Sequence, residues 1–478
     1  MSAIPDRPAE LSRRTLLGRT AAAGLLATPA AGLLGACATS GGDGGDTEQA
    51  TGTKSAENPF GVKEDAPLEV VIFNGGYGDK YATDVHEPLY RKKFPNAEVK
   101  HQASQAISTV LQPRFASGNP PEFVNNSGEK SMDFGALVAD GQLLDLTELW
   151  DAPSVDDPNK KVRDTVVPGT VDVGSFNGKP YVLYYVSTVF GLWYSGKLFS
   201  GSGLQPAKTW DEFMSLLDKL KSKGVTPYGY AGANAAYYQW NVILTHAAKI
   251  GGEEVLKNID NLAAGAWTAD PVRQAAAAWA EVGAKYSDKS FEGLKHTDVQ
   301  LLQNQYKVGL YPSGDWLENE QKQNTPPDFQ YQMATLPGLT SSDKLPAGTL
   351  RATAAEGYFV SAKSKNPRGG LEYMRQMLST EGAKGFTETV RAATVVPAAT
   401  AGYAFPPGVK SSQDALAAAG QNVVNLFFDG WYKELDKEAR TATNELMFGR
   451  IKADQFCERM QQRADAIAKD DSVTKFTR

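Results

Sequence analysis

Cysteine and histidine are scarce in this chain: two of the first and four of the second among 478 residues. With so few cysteines a disulfide framework is excluded. The four histidines, His86, His101, His246 and His296, have no metal-ligand spacing, so each reads as a surface or helix residue and no metal is expected. Gly-x-Ser-x-Gly, His-Glu-x-x-His and Cys-x-x-Cys are all missing. No large basic block stands out, which argues against a nucleic-acid partner. Strongly apolar runs are missing too. Between Arg19 and Asp43 there is no charge, but the stretch is mostly Ala, Gly and Thr with a handful of Leu. A spanning helix needs about 20 strongly apolar residues.

That uncharged run reads instead as an export signal: charged start, short apolar middle, small residues at the end. Ser12-Arg13-Arg14 followed by Thr15-Leu16-Leu17 resembles a twin-arginine signal. Leu34-Gly35-Ala36-Cys37 resembles a lipobox, in which Cys37 is lipidated and becomes the mature N-terminus. An ordinary cleaved signal with an incidental cysteine is the alternative. Residues 1–36 carry four arginines against Asp6 and Glu10, so removing them takes the net charge from −6 to −8. Lipidation would leave Cys457 without a partner. It lies in an amphipathic helical run, "RIKADQFCERMQQRADAIAK", and reads as a buried small hydrophobe.

Residues 37–67 comprise the lipidated cysteine and a polar, Gly/Ser/Thr-rich tether. About 25 such residues reach roughly 30 Å, enough to lift a body off a membrane. The body opens on "LEVVIF" (68–73), a strand, followed by the loop "NGGYGDK". A helix through "EPLYRKKF", a strand "AEVKHQ", a helix "STVLQPRFASG" and a strand "PPEFVNN" come next. This alternation predicts α/β architecture with a largely parallel sheet. Two β-rich aromatic runs, "KPYVLYYV" and "TVFGLWYS", precede a capped helix with Thr209 at its start and Gly224 at its end. A helical region covers about 239–286, "YKVGLYPSG" and "EGYFVSAKS" are strands, and the last 60 residues or so are mostly helical.

Gly191 to Lys197 has the spacing of a phosphate-binding loop, but Leu198 stands where Ser or Thr would hold a metal, and the strand pattern runs into the loop. "NGGYGDK" lacks the third glycine of a dinucleotide fingerprint. It does supply a pliable loop at a strand's C-terminal end, where α/β proteins place ligands. The distinctive feature is aromatic clustering beside polar residues: Tyr184-Tyr185, Tyr237-Tyr238-Gln239-Trp240, Gly314-Asp315-Trp316 and Phe428-Asp429-Gly430-Trp431. A flat ring covers the C–H face of a sugar while neighbouring amides and carboxylates take its hydroxyls. Core packing is the competing reading for any one of these rings, and Phe427 and Phe428 are expected in the core.

From about 68 to 470 the chain resembles the carbohydrate-binding lipoproteins of ABC importers. The residues carrying the likeness are "GKPYVLYYVSTVFGLWYSGKLF", "KTWDEF", "KVGLYPSGDW", "EGYFVSAKSKNPRGGLEYMRQMLS" and "ATVVPA", in that order. Within that family "NPFGVKEDAPLEVVIFNGGYGDKYA" is most similar to lipoproteins that bind N-acetylglucosamine and diacetylchitobiose. The resemblance implies a two-lobed periplasmic-binding-protein-like fold of type II, with three crossovers and a central ligand cleft. Crossovers are expected near Tyr185, Leu336-Pro337 and Val396-Pro397. Lobe one would be 68–184 plus 338–395, and lobe two 185–337 plus 396–478. Implied sugar-binding residues are Asn74, Tyr77, Asp79, Asn126, Glu129 and Glu356 from lobe one. Tyr185, Tyr237, Trp240, Trp316, Asp429 and Trp431 complete the set, with Asp315 beside Trp316 accepting sugar hydroxyls. No cofactor is implied. Implied partners are a small sugar and the ABC permease subunits, with the chain a monomer lipid-anchored at Cys37 on the extracellular face of the cell membrane.

Two other readings stay open on these residues. An extracellular glycoside hydrolase would need two carboxylates facing each other across the cleft. A sensory sugar-binding lipoprotein would look the same in sequence.

Overall fold

The computed structural model describes residues 49–167 and 169–478. The twin-arginine signal, the lipobox and Cys37 lie outside the described residues. Eleven strands are present among them: β1 (Leu68–Phe73), β2 (Val99–Ser104), β3 (Phe123–Asn125), β4 (Ser175–Phe176), β5 (Lys179–Pro180), β6 (Leu183–Ser195), β7 (Thr226–Tyr228), β8 (Val308–Gly314), β9 (Tyr331–Ala334), β10 (Leu350–Val360) and β11 (Val423–Val424). All but β4 and β5 join in the order β2-β1-β3-β10-β6-β8-β7, with β9 on β6 and β11 on β10. The sheet is mixed rather than largely parallel. β1 runs parallel to β2 and β3, and β7 to β8, but β10 is antiparallel to both β3 and β6.

Two long strands make two lobes out of one sheet. The two aromatic runs expected as separate strands are the single thirteen-residue β6. Its start pairs with β10 and its end with β8 and β9. β10 has eleven residues and does the same in reverse, pairing through Tyr358–Val360 with β3 and at Leu350–Arg351 with β11. A third pass lies beside them, where Thr394 bridges Val186 and the Val395 N–H donates to the Tyr185 carbonyl.

The second crossover is therefore not at Leu336-Pro337. Those residues sit in lobe two, where the Lys249 ammonium donates to the Leu336 carbonyl (2.5 Å) and His246 contacts the Pro337 carbonyl (2.9 Å). Pro337 marks a turn; the chain changes lobes on β10. The tether also ends before 67. Phe60, Val62 and Ala66 are buried in the lobe-one core, and Arg368 donates to the Phe60 carbonyl at 2.6 Å. Burying these side chains favours docking of a segment whose composition otherwise reads as linker.

The helices obey their local signals. Thr209 and Glu212 form a reciprocal cap on Trp210–Ser222. Ser379 accepts from the Gly382 N–H and so splits the run after Asn366 into Pro367–Met377 and Thr380–Val390. Helix Ala453–Lys469 buries Cys457 completely. Burial pushes that thiol up to about 12. With Cys37 replaced by serine, the native protein is expected to resist iodoacetamide at pH 8 and to label only after unfolding, which mass spectrometry reads directly. No helix among the described residues is long and apolar enough to cross a membrane.

Candidate functional site

The lobes enclose a cleft of about 1300 Å³. Its lobe-one wall is built from the loops that follow β1 and β3 at the same sheet edge. Its lobe-two wall comes from the first turns of helix Ala236–Gly251, from Trp316–Glu320, from the turn Leu426–Trp431 and from helix Lys433–Met447. Two hydrogen bonds tie the walls together: Asn319 Nδ2 donates to the Gly76 carbonyl (2.8 Å), and Lys433 Nζ donates to Ser131 Oγ (3.1 Å).

Ten of the twelve expected site residues lie on these walls. Tyr77 brings a buried hydroxyl with no hydrogen-bond partner among the described residues. Asp79 is held by His101, whose ring contacts Asp79 Oδ2 at 3.3 Å and Glu87 Oε1 at 2.6 Å. Hydrogen bonding to Glu87 raises the imidazole above its ordinary pKa. Asn126 lines the cleft but spends both amide ends on the Met132 backbone, at 2.7 and 3.1 Å, so it shapes the β3 loop. Asn74 stands beside the β1 loop and Glu129 is exposed at the rim. Glu356 accepts from Asn125 Nδ2 at 3.2 Å, with its backbone at φ +58° on the crossing strand. A non-glycine residue there is strained, a feature that clusters at ligand sites. Burial raises the Glu356 carboxyl above its ordinary pKa.

On the other wall the Tyr237 ring lies 4.6 Å below the Arg440 guanidinium. Trp316 packs edge-on against Phe190 at 5.5 Å, and its indole N–H donates to the Tyr238 hydroxyl at 3.1 Å. A Cβ on Gly314 would fall 2.1 Å from that indole, so only glycine lets the ring fold back over the end of β8. Trp431 is 4% exposed and wedged between Phe427 and Phe476, so little more than its rim reaches the cleft. Asp429 faces Arg351.

Two expected residues are corrected. Tyr185 is fully buried in the lobe-one core, where its hydroxyl donates to the Met377 carbonyl at 2.7 Å. Successive residues of β6 face opposite sides, and it is Tyr184, with Thr188 and Phe190, that faces the cleft. Trp240 is 1% exposed and packs on Phe428 at 5.1 Å. Asp315 is corrected as well: it is buried and accepts from the Val189 N–H and from Gln413. Burial pushes its carboxyl up to about 7. The phosphate-loop reading fails too, since Gly191–Ser195 are strand and Lys197 pairs with Asp328 on the surface.

Sequence reasoning missed the centre of the cleft. Arg351 is 5% exposed, stacked 4.6 Å from Phe190 and 5.6 Å from Trp240. It donates to Asn241 Oδ1, and its Nη2 lies 3.8 Å from Asp429 Oδ2. Its Nε is buried with no partner among the described residues. Asp436 pairs with Arg440 through one oxygen at 2.8 Å and leaves the other without a partner among the described residues. Glu320 is gripped by His296 (3.0 Å) and Gln300 (2.9 Å). Burial raises the Asp429 carboxyl while Arg351 opposes the rise. No group of three His, Cys, Asp or Glu among the described residues is arranged to hold a metal ion. Rings flanked by unpartnered donors and acceptors suit a neutral, hydroxyl-rich ligand.

Two lobes on crossing strands with such a cleft between them define a ligand-capturing protein. A family model, bacterial extracellular solute-binding protein, matches residues 75–384, and the chain belongs to that family. It is 36% identical over 479 residues to the diacetylchitobiose binding protein NgcE of Streptomyces coelicolor, covering 98% of each chain. It is 22% identical to the multiple sugar-binding protein of Streptococcus mutans, over 60% of this chain and 66% of that one. A solved chitin oligosaccharide binding protein shares the fold at a TM-score of 0.68 and 19% identity, covering 84% of this chain and 99% of the other.

Proposed function

We propose that this chain is the substrate-binding lipoprotein of an ABC sugar importer, capturing diacetylchitobiose or N-acetylglucosamine between its lobes. The observation that carries the reading is the cleft's chemistry: the Trp316 ring beside unpartnered polar atoms of Tyr77, Arg351 and Asp436. The near-full-length likeness to a diacetylchitobiose-binding protein supports the choice of sugar. In this reading the ligand-binding set is Asn74, Tyr77, Asp79, Glu129, Tyr184, Tyr237, Asn241, Trp316, Arg351, Glu356, Asp429 and Trp431, with Asn126 holding the loop. The protein is a monomer, lipidated at Cys37, and passes its sugar to permease subunits without chemistry on it. Cys37→Ala is expected to release it from membranes.

Thermal melting across a sugar panel tests the reading. A ligand at 100 times its Kd should stabilise by about 2.7 kcal/mol. Diacetylchitobiose is expected to raise the melting temperature, with sucrose and sulfate inert. Release of N-acetylglucosamine monomer from incubated diacetylchitobiose would replace this reading with a hydrolase.

A further inference from the structure

The turn that carries Phe427, Asp429 and Trp431 has little secondary structure of its own, a four-residue helix at Phe428–Trp431. What fixes it comes from elsewhere in the sequence. Asp260, fully buried at the end of helix Glu254–Asp260, accepts both the Phe427 N–H (2.9 Å) and the Phe428 N–H (2.8 Å) through one oxygen. Its other oxygen takes Nε of Arg478 at 2.8 Å. That guanidinium lies 4.7 Å from the Phe427 ring centre and donates through Nη2 to the Asn425 carbonyl at 3.1 Å. Glu253 stands 3.6 Å from Nη1, and Asn261 clasps the Arg478 backbone in both directions, at 2.9 and 3.1 Å.

We propose that Arg478 is a positioning residue of the sugar site, acting through Asp260 to lock the turn that presents Asp429 and Trp431 to the cleft. A carboxylate is the acceptor that takes two adjacent backbone N–H groups and an arginine at once. Burying it alone is costly, and burial already pushes Asp260 up to about 7 with Arg478 opposing. Take away the guanidinium and the ordered turn must either bury an uncompensated charge or hold Asp260 protonated, and either costs stability. The turn then loosens, and Asp429 no longer stands opposite Arg351. Nothing in "SVTKFTR" signals this; the connection joins residues 218 apart.

The sugar arm of the test rests on the function proposed above; the exchange arm does not. Hydrogen exchange in the ligand-free protein reads the Phe427 and Phe428 amides, and calorimetry reads diacetylchitobiose affinity. Arg478→Ala is expected to speed exchange at both amides by about tenfold or more, and to weaken binding by a similar factor of about ten. The combined variant Arg478→Ala with Asp260→Asn should restore both to within about threefold, because a neutral amide oxygen accepts the same N–H groups and needs no counter-ion. Leu371→Ala, in the lobe-one core, should lower the melting temperature and leave Kd unchanged. Unchanged exchange in Arg478→Ala overturns the proposal, as does failure of the asparagine to restore it. A wild-type chain that binds no sugar would sink the functional reading alone, with the exchange arm still deciding the clasp.

Discussion

Replacing Arg351 by methionine is expected to weaken diacetylchitobiose binding by about 100-fold, or about 2.8 kcal/mol at 1.4 kcal/mol per decade. The guanidinium is held on all sides: Phe190 and Trp240 near its faces, Asn241 on one edge, Asp429 at 3.8 Å. Nε has no partner among the described residues, and Nη2 at 3.8 Å from Asp429 makes no direct hydrogen bond, so donors remain for a ligand oxygen. Methionine keeps most of the stem and removes every donor. Deleting the guanidinium also leaves Asp429, half-buried at the cleft, without its cation. Part of that loss falls on stability through Asp429. Arg351→Met with Asp429→Asn separates the two. It should recover the melting temperature of the single variant's parent while affinity stays low, because the missing donor is not restored. Calorimetric binding by Arg351→Met within threefold of the parent would show that Arg351 only supports the wall.

Arg351 also shows where a sequence stops being informative. The strand expected there began at Glu356, and "LRATAA" before it reads as neither alternating nor strongly apolar. A single cation in a run of small residues was the available signal. Its meaning depends on Phe190 and Trp240, 161 and 111 positions away in sequence. The loops after β1 and β3 were legible because a buried strand ending in Asn-Gly-Gly or Asn-Asn must turn at the sheet edge. Tyr184 and Tyr185 were legible as a pair but not as individuals. Adjacent strand residues point to opposite faces, and a one-residue phase decides which ring meets the cleft. The crossover misplaced at Leu336-Pro337 has a similar cause. Proline announces a turn, whereas the real crossing is an extended strand, β10, with no punctuation except the positive φ at Glu356.

Two of the three tryptophans expected in the site, Trp240 and Trp316, should part company. Trp240→Ala is expected to cost about 3–5 kcal/mol of stability, the range for deleting a buried large aromatic. Its ring packs on Phe428, and Arg351 lies over it, so removal opens a cavity beneath the guanidinium. Trp316→Ala should leave the ligand-free melting temperature nearly unchanged. Its ring is only partly buried, and its polar atom is tied to one cleft residue, Tyr238. Its loss belongs to binding: about 2 kcal/mol for an aromatic anchor, or about 30-fold in Kd. Melting curves without sugar and calorimetry with it place each variant on one axis or the other. If Trp316→Ala melts far below the parent yet binds normally, the indole is a packing residue and the sugar's apolar face must rest on Tyr237 or Tyr184 instead. If Trp240→Ala keeps its stability and loses binding, that ring is a ligand contact and not a packing residue. The first pairing, a stable Trp316 variant that binds weakly and an unstable Trp240 variant, is what the geometry favours, because only Trp316 of the two lines the space between the lobes.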